Sequence, residues 1–169
     1  MGIEGRDVEA TAADCTVPFS GVAFMLSAIG YAVAKRFRQI LAPLELEPRE
    51  FALLRAVADG EGQSQQAIGE RLQIPPSRMV AFVDALEQRS LIERRHNPED
   101  RRTRALHLTK KGRALLERGF TLAAEFELDL CAELTGAERD QLLDLLPRVG
   151  AQLGLPEGVS AAHPALAEE

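Results

Sequence analysis

Apolar residues recur along most of the chain at the three- and four-residue spacing of amphipathic helices. In the first such stretch, from about Phe19 to about Leu41, Val22, Met25, Leu26, Ile29, Val33, Phe37 and Ile40 share one face, and Phe24, Ala28 and Tyr31 lie on a second. A helix with two apolar faces predicts burial on both sides, as at a subunit interface. Pro43 sits in the turn that follows. Glu47-Pro48-Arg49-Glu50 opens a new helix, with Pro48 at the favoured first position. Phe51, Leu53, Leu54 and Val57 form its inward face, and Asp59-Gly60-Glu61-Gly62 ends it. Ser64 predicts the N-cap of a short helix from Gln65 to Leu72, with Ala67, Ile68 and Leu72 inward. After the tight connection Gln73-Ile74-Pro75, Pro76 starts a helix to about Gln88, with Met79, Val80, Val83 and Leu86 inward.

The period then changes. Leu91 to Arg95 and Arg104 to Leu108 read as two short strands, and the intervening His96 to Thr103 has the Asn, Pro and Asp chemistry of a turn. Thr109 can cap a further helix that runs through Leu115, Leu116, Leu122, Phe126 and Leu130, with Cys131 read as core at its end. Leu134-Thr135-Gly136-Ala137-Glu138 carries a capping box behind an apolar residue. A last helix follows with Leu142, Leu143, Leu145, Leu146, Val149 and Leu153.

The middle of the chain is therefore helix, short helix, tight turn, helix, two-stranded hairpin. That order predicts a mainly α fold with a small β-hairpin wing, a winged helix-turn-helix. Its second helix can enter a DNA major groove about 12 Å wide. The expected organisation is a flexible N-terminal segment over 1–17, a dimerisation helix over 18–45, the winged helix-turn-helix over 46–112, C-terminal dimerisation helices over 113–154 and a flexible tail over 155–169.

Composition sharpens this picture. The 169 residues carry a net charge of −6, but Gln63 to Arg113 holds 11 basic against 6 acidic side chains. A basic middle in an acidic frame fits one face for a polyanion and other surfaces that repel it. No Trp and a single Tyr count against stacking on single-stranded nucleic acid. Two cysteines rule out a disulfide scaffold, and His96, His107 and His163 have no ligand spacing with each other or with the cysteines, so no metal is expected. No phosphate-cradling glycine loop, nucleophile elbow or catalytic triad occurs, so neither an enzyme nor a cofactor is expected. The 20 residues from Cys15 to Ala34 are uncharged, yet they include Pro18, Ser20, Gly21, Ser27 and Gly30 and follow an acidic stretch. They read as a buried helix rather than a membrane span or signal peptide, which predicts a cytoplasmic protein.

The run Asn97-Pro98-Glu99-Asp100-Arg101-Arg102-Thr103-Arg104-Ala105-Leu106-His107-Leu108-Thr109-Lys110-Lys111-Gly112 resembles the wing signature of MarR-type transcriptional regulators. There an Asp-Arg-Arg wing precedes a strand ending in Leu-Thr, with a Gly three residues later. Leu86 to Arg94 resembles that family's recognition-helix end and first wing strand, and Leu44 to Leu54 its second helix. The likeness covers about residues 19–150. It implies a homodimer whose long first and last helices form the base and whose two recognition helices face a pseudo-palindromic double-stranded operator.

On that resemblance Arg102 is the wing residue for the minor groove, where narrow A·T tracts concentrate negative potential. Asp100 orients it by pairing with Arg102 or Arg104, and Arg101 and Arg104 are candidates for phosphate. Ser77 and Arg78 open the recognition helix. Arg78 suits a guanine edge, and Ser77 with the helix amides suits phosphate. Ser64, Gln65 and Gln66 are candidates for backbone contacts, although Ser64 serves equally as a cap alone. The chain departs from the family pattern where Val80-Ala81 replaces a usual Thr-Arg, Ala85 replaces a basic residue and Pro75 stands at the usual cap. The resemblance also implies a small aromatic or phenolic effector, for which Phe24, Tyr31 and Phe51 are candidates or else ordinary core. Some relatives sense peroxide through an N-terminal cysteine, which makes Cys15 a redox candidate, but Asp14 beside it does nothing to lower its pKa. Two other readings of the same elements remain: an RNA-binding winged helix and one used only for protein contacts.

Overall fold

The computed structural model describes residues 21–96 and 104–155. They contain six α-helices and one hairpin in the order α1 (Val22–Leu41), α2 (Pro48–Asp59), α3 (Gln65–Arg71), α4 (Pro76–Gln88), β1 (Ile92–His96), β2 (Arg104–Leu108), α5 (Lys110–Leu130) and α6 (Gly136–Gln152), with a 3-10 turn over Ala42–Leu44 after α1. This is a winged helix-turn-helix, mainly α with a small hairpin wing. By compactness the chain divides into one unit ending at Arg36 and a second beginning at Phe37. The described part of the first unit is the leading portion of α1. Val22, Phe24, Met25, Ile29 and Tyr31 are all exposed there.

The second unit holds the core. Leu41, Leu53, Leu54, Val57, Ile68, Leu72, Met79, Val83, Leu86, Leu91, Ile92 and Leu106 are each at most 1% exposed. Fully burying a side chain of this size contributes roughly 1.5–3 kcal/mol, so this cluster is the main stabilising element of the unit. Helix ends follow the sequence chemistry. The Glu47 amide donates to Glu50 Oε2 at 2.9 Å ahead of Pro48. Ser64 Oγ accepts from the Ala67 amide at 3.1 Å, and Thr109 Oγ1 from the Gly112 amide at 2.9 Å. At α6 the box closes both ways, Thr135 N to Glu138 Oε2 at 2.8 Å and Glu138 N to Thr135 Oγ1 at 3.3 Å.

β1 and β2 pair antiparallel, from Ile92 opposite Leu108 to His96 opposite Arg104. The α2–α3 connection adds a short third edge: Gly62 N donates to Leu106 O at 3.0 Å and Leu106 N to Gln63 O at 2.9 Å. Gly112, in the first turn of α5, lies hard against the link between α4 and β1, where an added Cβ would run into the Leu91 carbonyl. That contact explains a glycine at this point in the Thr-Lys-Lys-Gly run.

Several expectations need correction. Ala67 is exposed, because it lies on the opposite side of α3 from Ile68, Gly69 and Leu72, which face the core. Val80 is 46% exposed, since Met79, Val83 and Leu86 fill the inward face of α4 without it. Leu91 lies before β1, buried, reached through Ser90 at φ 58°. Cys131 is half-buried at the end of α5 rather than core, its Sγ 3.9 Å from Glu127 Oε1. α6 buries none of its residues, and Leu142, Leu143, Leu145 and Leu146 all stand exposed in the single chain.

Candidate nucleic-acid interface

The helix-turn-helix is set by the turn between α3 and α4. Leu72 ends α3, Gln73 takes the left-handed conformation at φ 55°, and Ile74 N donates to Gly69 O at 2.9 Å. Ile74 is 4% exposed and anchors the turn. Gly69 lets the helices approach, since a Cβ there would meet Met79 Cγ at 3.3 Å.

α4 begins on Pro75-Pro76, and Met79 N donates to Pro75 O at 2.9 Å. Neither proline carries an N–H, and Pro75 offers no capping side chain. The amides of Ser77 and Arg78 therefore lie outside the helix's own ladder, at its positive end. Ser77 is exposed and Arg78 half-buried, and among the described residues no acid pairs with Arg78. Beyond it the outward face carries Val80, Ala81 and Ala85.

The wing is fastened to α4 through Arg94, whose side chain is only 15% exposed. Its guanidinium bridges Asp84 at 2.5 Å and Glu87, both on α4, and reaches Gln65 Oε1 on α3 at 3.2 Å. Its own backbone N–H donates to Glu87 Oε1 at 3.2 Å. One cation thus joins α3, α4 and β1, and satisfying it this fully offsets the cost of its burial. Arg89 does similar work behind α4, donating to Glu50 Oε1 at 3.0 Å and to the Glu45 carbonyl at 2.6 Å. Sequence reading missed both. The signal available was the pair Asp84 and Glu87, one helical turn apart on α4, facing an arginine that alternates inward on β1.

On the other side of the wing, Arg113 of α5 holds Glu61 at 3.0 Å, and His107 Nδ1 of β2 lies 3.6 Å from the same carboxylate. Burial works against ionisation of Glu61 and is the largest single influence, but Arg113 and then His107 together outweigh it and hold its pKa below the ordinary 4.5. The Glu138 pKa is also lowered, chiefly by the Thr135 backbone N–H and then by its hydroxyl.

The sequence candidates divide as follows. Ser64 and Gln65 lie at the start of α3, and Ser77 and Arg78 at the start of α4. Ser64 is engaged as a cap and Gln65 as a partner of Arg94. Arg104 is exposed at the first position of β2, beside the hairpin connection. Asp100, Arg101 and Arg102 lie outside the described residues, as does Cys15. Of the effector candidates, Phe24 and Tyr31 stand exposed on α1, 47% and 74% respectively. Phe51 is 7% exposed in the core, edge-on to Phe37 at 5.8 Å and Phe120 at 5.4 Å. Among the described residues no group of His, Cys, Asp or Glu is placed to hold a metal ion, and no helix is long and apolar enough to cross a membrane.

Known proteins share this architecture. The family model described as MarR family matches residues 46–103. A protein named as a transcriptional regulator for the hcr operon of Thauera aromatica is 32% identical over 122 residues, 72% of this chain and 74% of its own. Among solved structures, the transcriptional repressor CouR bound to a 23-mer DNA duplex is 34% identical with a TM-score of 0.72, over 80% of this chain and 96% of that one. CouR from Rhodococcus jostii RHA1 bound to p-coumaroyl-CoA is 26% identical with a TM-score of 0.66, over 77% of this chain and 92% of that one.

Proposed function

The chain belongs to the MarR family of DNA-binding transcriptional regulators, which are not enzymes, and from that premise we propose that it is a homodimeric repressor of a pseudo-palindromic operator, released by a small aromatic or phenolic effector. The observation that carries this reading is the pairing of α4 with β1 through Arg94, which ties the second helix of the helix-turn-helix to the hairpin that follows it. A major groove takes the helix, and the adjoining minor groove takes the hairpin tip. The 34% identity to a repressor solved on duplex DNA supports the same assignment.

In this proposal Ser77 and the first amides of α4 hold phosphate, and Arg78 reaches a guanine edge. Ser64 and Gln65 approach the DNA backbone from α3. Arg102 enters the minor groove with Asp100 orienting it, and Arg101 and Arg104 neutralise phosphates. The segments 18–45 and 113–154 flank the DNA-binding part over 46–112, and each offers its exposed apolar side chains to a second copy. Effector binding favours a dimer in which the two recognition helices no longer match the operator spacing, so affinity falls by differential binding to two states. The p-coumaroyl-CoA bound by the Rhodococcus protein is a ligand of aromatic type; in this chain Phe24 and Tyr31 are exposed aromatic candidates, while Phe51 is core. Cys15 is the candidate for any oxidant response.

The test is operator affinity at matched salt. Arg102→Ala is expected to weaken binding broadly, and Arg78→Ala to cost about 1–3 kcal/mol and relax preference at a single base pair. Unchanged affinity in both variants would refute the interface.

A further inference from the structure

From Pro48 through Leu116, Val80 is the one described large apolar side chain that stays exposed; every other is buried or half-buried. It sits on α4, one turn past Ser77, and the core beneath it is already filled by Met79 and Val83 at 1% and 0% exposure. One side of Val80 lines a groove against α3 with Ile74, Pro76 and Met79, and the rest of it faces outward. By the helical repeat, Ser77, Ala81, Asp84 and Gln88 run along the middle of the outward face. Val80 forms one shoulder, and Arg78 and Ala85 the other. Asp84, one turn further on, has its charge paired with Arg94, although its side chain is still 48% exposed. The leading half of the outward face is therefore small, uncharged and largely apolar, with Arg78 as the sole cation and that at its edge.

A helix that reads a major groove through such a face has few hydrogen bonds to offer base edges. The groove presents one apolar feature, the C5-methyl group of thymine, and small aliphatic side chains are what contact it. Resting on the operator reading above, we infer that Val80 and Ala81 are specificity-determining residues that pack against thymine methyl groups. Each half-site then carries thymines beneath the start of α4, and Arg78 reads a guanine from the opposite shoulder. The chain discriminates by apolar contact where a polar recognition helix would discriminate by hydrogen bonding.

Deoxyuridine tests this directly. It pairs as thymine does and differs only by the missing methyl group. An operator duplex selected from genomic fragments is resynthesised with each thymine of a half-site replaced in turn, and binding is measured at fixed salt. Losing a buried methyl contact is expected to weaken wild-type binding about four-fold at each contacted thymine, and not elsewhere. Val80→Ala, a substitution at an exposed helical site that leaves the core intact, is expected to weaken binding to the thymine duplex and to shrink the deoxyuridine penalty at its own thymine. Its salt-driven binding to unrelated DNA stays as in the wild type. Sequence-selective binding with no deoxyuridine penalty under α4, or penalties of equal size in Val80→Ala, overturns the inference and leaves the operator reading standing. Binding with no preference for any fragment overturns both.

Discussion

α2 and α6 are both amphipathic helices with capping boxes, and they meet opposite fates. α2 buries Pro48, Phe51, Leu53, Leu54, Ala56 and Val57 within its 12 residues, and α6 buries none of its 17. Helical periodicity therefore says that a face is apolar without saying what will cover it. In α2 the cover is the hairpin and α5 of the same chain. In α6 the leucines at 142, 143, 145 and 146 are 40–54% exposed, and a second copy is the cover we propose.

That contrast can be broken at its sharpest point by two glycines. Gly112→Ala pushes a methyl group into the Leu91 carbonyl, which is backbone and cannot swing aside. A loss of about 3 kcal/mol or more is expected, read as a lower denaturation midpoint. Gly136→Ala, at the first position of α6, meets nothing within 4 Å and is expected to leave stability unchanged or slightly raised.

Arg94→Ala comes next. It strands Asp84 and Glu87 beside each other and frees β1 from α4. A destabilisation of about 1–3 kcal/mol is expected. Operator affinity should fall further than stability alone explains, because wing and recognition helix lose their common anchor. Arg94→Lys should fail to restore it, since an ammonium cannot span three partners on two elements in the same plane. Full rescue by lysine would show that charge alone matters here.

Leu143→Glu probes the other side of the comparison. The side chain is 54% exposed, so the single chain should fold with little change in stability. Sedimentation should nevertheless show dissociation of the dimer, because an unpaired carboxylate in an apolar interface is costly to desolvate. A variant that stays dimeric and binds operator normally would remove α6 from the interface.

The smallest expected effect is with pH. Glu61 has a folded pKa below its ordinary value, so its link to Arg113 and His107 stabilises the fold fully above that ordinary value. The contribution is lost as pH falls through the depressed folded value. Glu61→Gln should therefore flatten the acid limb of a stability profile and change little at neutral pH.

Much of this was legible in the sequence because local chemistry decides it. The caps at Ser64, Thr109 and Thr135, the proline starts of α2 and α4, and the change to strand within one residue of Ile92 all depend on residues within one turn of chain. Val80 and Ala67 were misread for one reason: an apolar residue beside a buried one shares its helical neighbourhood without sharing its side of the helix. Arg94 was missed because its partners lie 10, 7 and 29 positions away on two other elements. The spacing of Asp84 and Glu87 hints at a shared cation, but only the fold brings Arg94 and Gln65 to it. The exposed apolar residues of α1 and α6 are a different case. Their pattern was evident, and its meaning depends on a second chain that the sequence of one cannot display.

The central claim is that α4 and the wing read a specific double-stranded site as a dimer. Sequencing the genomic DNA fragments retained by the protein at near-physiological salt tests it most directly. The account predicts a few enriched fragments that share an inverted repeat, with half-sites about one helical turn apart. Even, salt-sensitive retention of all fragments, or no retention at all, would contradict it.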